Sequence, residues 1–426
     1  MGADKQKRPF IFSGPQTEEA KGSVLYEEHI KRVPHSRLAA FAGYLMPLWY
    51  SSIADEHRAV RENAGLFDCT HMGVLALSGP EAGGFLNTIA TNDVAQLEPG
   101  RAQYSYILNA QGQILDDIIV YQRQQEDYLL VVNAANAPKI KAYLRGLLED
   151  ELIIDLDSPE RSLGFKPEFC DLRADAENGL VDLALQGPKS FEILCSAVPD
   201  SDREAVMNLK PFRLVQSRVH NIPCIVSRTG YTGASLGVEL LVHPALAATL
   251  WNQLLQQGDS AGLLPCGLGA RDSLRIEAGL PLYGHELAGE FDISPFAAGY
   301  PWAVKLAKEF FIGQAATRKL AETCDKTVVR LEIPGGRGVR PVRQHDPVLG
   351  PDGTCRGWIL SSASTGGKQI ALAYVDRALA TGTDVGLYYL ARSAGQLKQG
   401  RKQKANKDEI LTPDLSGVIT TRFAKF

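Results

Sequence analysis

Three stretches of this chain place ionisable side chains among apolar neighbours. In Ile114-Leu115-Asp116-Asp117-Ile118-Ile119-Val120 two adjacent carboxylates enter an apolar, β-rich run. Successive side chains of a strand point to opposite faces, so one acid can be solvated while the other faces a buried side. A buried carboxylate is costly unless it is paired or has a functional partner, such as a proton to move. A turn residue at a strand end is the plainer reading, and spacing alone leaves both open. Val238-Glu239-Leu240-Leu241 repeats the pattern behind the glycine-rich Gly230-Tyr231-Thr232-Gly233. A solvent-facing strand position accounts for Glu239 on spacing alone. In the third stretch, Gly267 to Gly279, Arg271 and Arg275 stand four apart on one face of an expected helix. Salt bridges explain them, and so does anion binding, because the guanidinium fork matches a carboxylate. A fourth stretch, Phe41 to Tyr50, is dense in aromatics and broken by Gly43 and Pro47, which predicts an irregular loop. Flat side chains there could pack in a core or sandwich a planar heterocycle.

The elements that must position these residues follow from the pattern. Tyr104 to Leu108 and Ile114 to Gln122 read as two strands of a hairpin, and Tyr128 to Asn133 as a third strand. Ile53 to Asn63, Pro138 to Glu149 and Pro244 to Gln256 read as helices. Leu75-Ala76-Leu77-Ser78-Gly79-Pro80 is echoed by Leu183-Ala184-Leu185-Gln186-Gly187-Pro188, and a helical stretch follows each copy. Both read as a strand, a tight turn and a helix with proline in its first turn. The echo suggests two similar α+β subdomains. Residues 150–180 are charged and read as an inserted irregular loop. After about Asp325 short β-like runs recur between turn signals such as Pro351-Asp352-Gly353, which predicts a small barrel or sandwich.

Bulk properties exclude several classes. The 426 residues suffice for two or three domains. A composition 45% hydrophobic and 22% charged argues against disorder. A net charge of -4 gives no support to nucleic-acid binding, since the basic run from Lys398 to Lys407 reads first as a solvated loop. The seven cysteines show no C-x-x-C spacing, which suits free thiols in a reducing compartment: cytoplasm, or the matrix of a mitochondrion. No apolar run is long enough to span a membrane, and the polar residues 1–22 read as a flexible extension. Metal and phosphate-loop motifs fail: there is no H-E-x-x-H, and Gln369 follows Gly366-Gly367-Lys368 where a phosphate loop needs Ser or Thr.

Taken in order, these stretches resemble the glycine-cleavage T-protein (aminomethyltransferase) family. The resemblance rests on Phe41-Ala42-Gly43-Tyr44 with Met46-Pro47, Glu56-His57 with Ala59-Val60-Arg61, and Gly65-Leu66-Phe67-Asp68 with Thr70-His71-Met72-Gly73. It continues through Ile114 to Asp117, Leu185 to Pro188, Gly230 to Gly233, Ala270 to Gly279 and Ile370 to Val375. It implies an α+β fold, a three-domain cloverleaf in which two related subdomains surround a folate channel and a C-terminal β-barrel completes it. On that basis residues 23–324 are the folate-binding region and 325–426 the barrel. The implied reaction moves a one-carbon unit from an aminomethyl group on the lipoylated H-protein to tetrahydrofolate, a co-substrate, with release of ammonia. Carried over residue by residue, Asp117 would assist proton movement at the folate nitrogens and Glu239 would grip the guanidine-like edge of the pterin. Arg271 would bind an anionic portion of the substrate. Met46, Tyr104, Asn133 and Tyr231 would line the site, and no metal is implied. The chain departs from the family at Ala234-Ser235, where an acidic pair is usual, at the additional Leu236, and at its ending, Thr420 to Phe426. Relatives that demethylate small S-, O- or N-methyl donors with tetrahydrofolate give the alternative reaction. A folate-binding protein without catalysis is the third reading.

Overall fold

The computed structural model describes residues 7–14, 19–336 and 339–426. They form two compact units: Met1–Gly230 with Ala234–Ala270 and Trp302–Lys319, and Tyr231–Gly233 with Arg271–Pro301 and Leu320–Phe426. Residues 1–6 and 15–18 of the expected extension lie outside the described residues. Within that extension Lys7 pairs with Asp150 at 2.6 Å, and Phe10 packs edge-on against Tyr143.

The first unit opens with a small sheet, β1 (Lys21–Gly22), β2 (Leu38–Phe41) and β3 (Tyr44–Pro47), in the order β1-β3-β2. The stretch Phe41 to Tyr50 is therefore partly a hairpin and not wholly irregular. Ala42 and Gly43 turn it at φ of 50° and 82°, and a glycine takes that left-handed geometry without steric cost. Met46 on β3 is buried. Next come β4 (Ala64–Asp68), β5 (Gly73–Ser78), β6 (Arg101–Leu108), β7 (Ile114–Gln124), β8 (Asp127–Val132) and β9 (Glu168–Asp171). They are followed by β10 (Val181–Gln186), β11 (Leu214–Val219), β12 (Ile222–Ser227), β13 (Gly237–Val242) and β14 (Leu263–Cys266).

These strands build two sheets, ordered β6-β7-β8-β5-β9 and β11-β12-β13-β10-β4-β14. The sequence echo heads a duplication. In both sheets the first strand of the repeat (β5 or β10) lies beside the fourth (β8 or β13), and a helix follows each: Ala82–Ile89 and Ala137–Leu148, or Ser190–Ala197 and Pro244–Gly258. Pro80 and Pro188 sit one residue ahead of the helix caps Glu81 and Lys189, not inside the first turn. Residues 150–180 are not wholly irregular either, because β9 extends the first sheet by pairing with β5.

Alternation along each strand sorts its side chains between two cores. Leu75, Phe85, Ile118 and Leu144 pack the first sheet on its helices. Leu183, Leu194, Leu240 and Trp251 do the same for the second. Between the sheets lie Val74, Tyr121, Val131, Ile225 and Leu241. Each fully buried large apolar side chain contributes about 1.5–3 kcal/mol.

Two acids of the family motifs serve this scaffold. Glu56 is fully buried and accepts from the backbone N–H groups of Tyr50, Ser51 and Gly267, tying the helix Ile53–Glu62 to the chain after β14. Asp68 accepts from Ser23 and from His29, each at 2.7 Å, and His29 meets the Tyr50 hydroxyl at 2.8 Å. Burial pushes the Asp68 carboxyl up, but the His29 and Ser23 contacts outweigh it and hold the group at about 2.

In the second unit a closed barrel runs β15-β18-β17-β16-β19-β20. Its strands are β15 (Lys326–Pro334), β16 (Pro347–Leu349), β17 (Cys355–Thr365), β18 (Lys368–Asp376), β19 (Asp384–Leu387) and β20 (Leu415–Thr420). Gly366 and Gly367 form the turn between β17 and β18, both at positive φ. Three members of the basic run are paired with acids: Arg401 makes two bonds to Asp414, Lys402 meets Glu409, and Lys407 meets Asp376. All seven cysteines are free thiols. No helix among the described residues is long and apolar enough to cross a membrane.

Candidate active site

Asp116 and Asp117 leave β7 toward different sides, as alternation requires. Asp116 is completely buried. Its carboxylate accepts from the Asn133 backbone N–H at 3.0 Å, from Asn133 Nδ2 at 2.8 Å and from Asn136 Nδ2 at 2.5 Å. Asp117 is half-buried and accepts from the Tyr104 hydroxyl at 3.0 Å and from Asn133 Nδ2 at 2.8 Å. The two acids are thus not independent: Asn133, just past the end of β8, reaches both. Burial raises both carboxyls above the ordinary range, and the neighbouring Asp117 charge adds to the rise at Asp116. A carboxylate so raised is a better proton acceptor at neutral pH than an exposed one. It is held here by donors that favour its charged form.

The face of β7 that carries Asp117 also carries Ile119 and Tyr121, and both of these pack between the sheets. The Tyr121 hydroxyl reaches Glu239 on β13 at 3.3 Å. Glu239 also accepts from the Thr229 hydroxyl, so it is a partnered, half-buried acid and not a solvated strand position. Thr229 is in turn fixed by Gln186, whose side-chain amide donates to the carbonyls of Thr229 and Val238. A Cβ on Gly230 would come within 2.2 Å of Gln186 Oε1, and one on Gly237 within 2.7 Å of Nε2. These close approaches explain two glycines of this stretch and join it to the Leu-Gln-Gly-Pro turn. Asp117 and Tyr121 are four residues apart on one strand, so roughly 13 Å of strand separates Asp117 from the residue that reaches Glu239. Burial, helped by the Glu239 carboxylate beside it, raises the Tyr121 phenol and keeps it a donor.

Tyr104, Asp117, Asn133 and Glu239 therefore gather on and beside the facing sheets of the first unit, and Met46 lies buried in the small sheet of the same unit. Tyr231 and Arg271 belong to the second unit. There the Arg271 guanidinium lies over the Tyr231 ring, 5.1 Å from its centre, and the Tyr231 hydroxyl donates to the Pro281 carbonyl at 2.5 Å. Arg275 took the structural alternative: it is buried between Asp272 at 2.8 Å and Glu286 at 2.5 Å. Sequence reasoning missed Tyr121, Thr229 and Trp302. Alternation from Asp117 could have found Tyr121. Nothing local marks Trp302, whose ring stands 5.8 Å from that of Tyr104 although almost two hundred residues separate them.

Comparison with known proteins identifies the relatives of this chain. The family model described as the GCVT N-terminal domain matches residues 25–308. An aminomethyltransferase of Symbiobacterium thermophilum is 41% identical over 379 residues, covering 86% of this chain and 93% of that protein. One from Streptomyces avermitilis is 42% identical over 344 residues, covering 79% and 85%. The crystal structure of glycine cleavage system aminomethyltransferase T from Bartonella henselae matches 95% of this chain and 97% of its own, with a TM-score of 0.73 at 29% identity. With these matches spanning both α+β sheets and most of the chain, the protein belongs to the glycine-cleavage aminomethyltransferase (T-protein) family.

Proposed function

We propose that this transferase takes the aminomethyl one-carbon unit carried by lipoylated H-protein and delivers it to tetrahydrofolate as the methylene group, releasing ammonia and leaving the lipoyl arm as the dihydrolipoyl thiol. The observation that supports it best is the face of β7, which carries the partnered carboxylate of Asp117 and, four residues on, Tyr121, whose hydroxyl meets the carboxylate of Glu239 on β13. Glu239, fixed by Thr229 and Tyr121, suits the donor-rich guanidine edge of a pterin through paired, charge-assisted hydrogen bonds. Asp117, fixed by Tyr104 and Asn133, suits the reacting amine end. Tetrahydrofolate would supply the amine nitrogens that accept the one-carbon unit. Asp117 would take a proton from the attacking amine and return one to the departing ammonia, and its raised pKa suits both steps. Tyr104 orients the carboxylate, and Asn133 keeps one Asp117 oxygen occupied so that the other is aimed. Met46 would line the same acceptor site. Arg271, stacked on Tyr231, is assigned to an anionic portion of the substrate.

On this reading residues 23–324 form the folate-binding region and 325–426 the barrel. The free thiols fit a reducing compartment. Titration calorimetry with tetrahydrofolate tests the acceptor assignment: wild type should bind, and Glu239→Gln should bind more weakly. Equal affinity of the two proteins would remove Glu239 from the site.

A further inference from the structure

The chain's ending, where this sequence departs from the family, packs back onto its own unit. The Ala424 N–H donates to the Ala278 carbonyl at 3.2 Å. Phe423 stacks on Tyr300, the ring centres 5.1 Å apart at 28°. Gly279, at φ 80°, lies so close that a Cβ there would come within 1.8 Å of the Arg422 carbonyl oxygen. A glycine at this point both takes the left-handed turn and makes room for the tail. Arg422 is drawn in with it. Its guanidinium lies over the Phe423 ring, 5.2 Å from the centre, and its three nitrogens are out of the reach of solvent. None of the three has a hydrogen-bond partner among the described residues.

A guanidinium enclosed with all its N–H donors unused is costly, because its charge has left water without gaining an acceptor. Burial lowers Arg422 to about 10, so it stays charged at neutral pH. Glu286, the acid whose charge favours it, is already engaged with Arg275 at 2.5 Å, the Leu282 N–H at 3.1 Å and the Ser361 hydroxyl. With one flat face on Phe423, the guanidinium keeps its edge, a fork of N–H groups, for a partner in its own plane. We propose that Arg422 holds a small planar oxyanion of the carboxylate type through paired N–H···O bonds, and that this anion pins the C-terminal tail to the end of the helix Leu268–Ala278. Enclosure of the nitrogens restricts the ligand to a few heavy atoms. The site goes beyond the folate and H-protein reading and does not depend on it.

The test is amide hydrogen exchange in the C-terminal peptide that contains Ala424, with sodium formate as the probe and sodium chloride holding ionic strength constant. In wild type, exchange should slow saturably, by about tenfold at ten times the formate dissociation constant, because the anion binds only the docked tail. Arg422→Met should show no such response. Without formate its unfolding midpoint should equal or exceed that of wild type, since an uncompensated charge has been removed. Arg422→Lys, which keeps the charge but not the fork, should respond more weakly than wild type. A wild type indifferent to formate would show that water satisfies the guanidinium, and overturns the proposal. An equal response in Arg422→Met overturns it too, as does an Arg422→Met protein clearly less stable than wild type without formate. Protection of the tail by tetrahydrofolate and not by formate would assign Arg422 to the acceptor, and a separate anion site would fall.

Discussion

Replacing Asp117 by Asn separates chemistry from architecture most cleanly. The amide is nearly isosteric, and its oxygen can still accept from Tyr104 or Asn133, the two donors that the carboxylate now holds at 3.0 and 2.8 Å. One of those bonds is lost or weakened, at about 0.5–1.5 kcal/mol for a bond no longer charge-assisted. Removing a carboxylate whose pKa burial has raised offsets part of this loss. Stability should therefore change by less than about 1 kcal/mol, and folate affinity by less than about fivefold. The amide cannot take up a proton, so turnover at saturating folate should fall by about 10²–10⁴-fold. That fall corresponds to about 2.7–5.4 kcal/mol on the barrier. Thermal unfolding, calorimetry and saturated turnover on the same preparation read the three quantities. Full turnover in a folded Asp117→Asn protein would refute proton transfer by this residue. A large stability loss would show instead that Asp117 belongs to the scaffold.

Asp116→Asn should behave differently, because it cannot serve as an inert control. Its three donors include the Asn133 backbone N–H, which an amide nitrogen in the place of the second oxygen would face donor to donor. The expected cost is about 1–3 kcal/mol of stability, with a smaller fall in turnover than for Asp117→Asn as Asn133 loosens its hold on Asp117; a stability equal to wild type contradicts this. Glu239→Gln should raise the folate Kd by an amount equivalent to about 1.5–3 kcal/mol while saturated turnover changes little, and a pure rate effect in paired KM and kcat measurements contradicts it. The acid pair also sets a pH dependence. Both folded carboxyls are raised, so from about pH 4 upward the folded state holds more protons than the unfolded chain. Their contribution to stability is complete below the unfolded pKa and is lost as pH rises through the raised folded range. Unfolding midpoints should show this decline reduced in Asp116→Asn, and a decline as steep as in wild type would contradict it.

The sequence made the elements legible where periodicity was strong: the strands around the acid pair, the helices at 137–148 and 244–258, and most barrel strands all follow from alternation and turn residues. The duplicated Gly-Pro turn was legible as an echo, whereas the shared strand order needed pairings across more than fifty residues, as between β10 and β13. β16, three residues long, is too short for a periodic signal. Alternation correctly sent Asp116 and Asp117 to different sides, but it is blind to Asn133, which comes from another strand end and couples them. Glu239 read as solvated on spacing alone because Tyr121, its partner, belongs to the other sheet. The Phe41–Tyr44 turn hid a hairpin because its two strands are only four residues each.

The most direct test of the account is a product analysis. Tetrahydrofolate and aminomethylated H-protein are mixed with the enzyme, and folate products and ammonia are followed together, beside a panel of small S-, O- and N-methyl compounds. The account predicts methylene-tetrahydrofolate and ammonia in equal amounts from H-protein, with turnover lost in Asp117→Asn. Methyl-tetrahydrofolate formed from a small methyl donor, with none of the methylene product from H-protein, would contradict it.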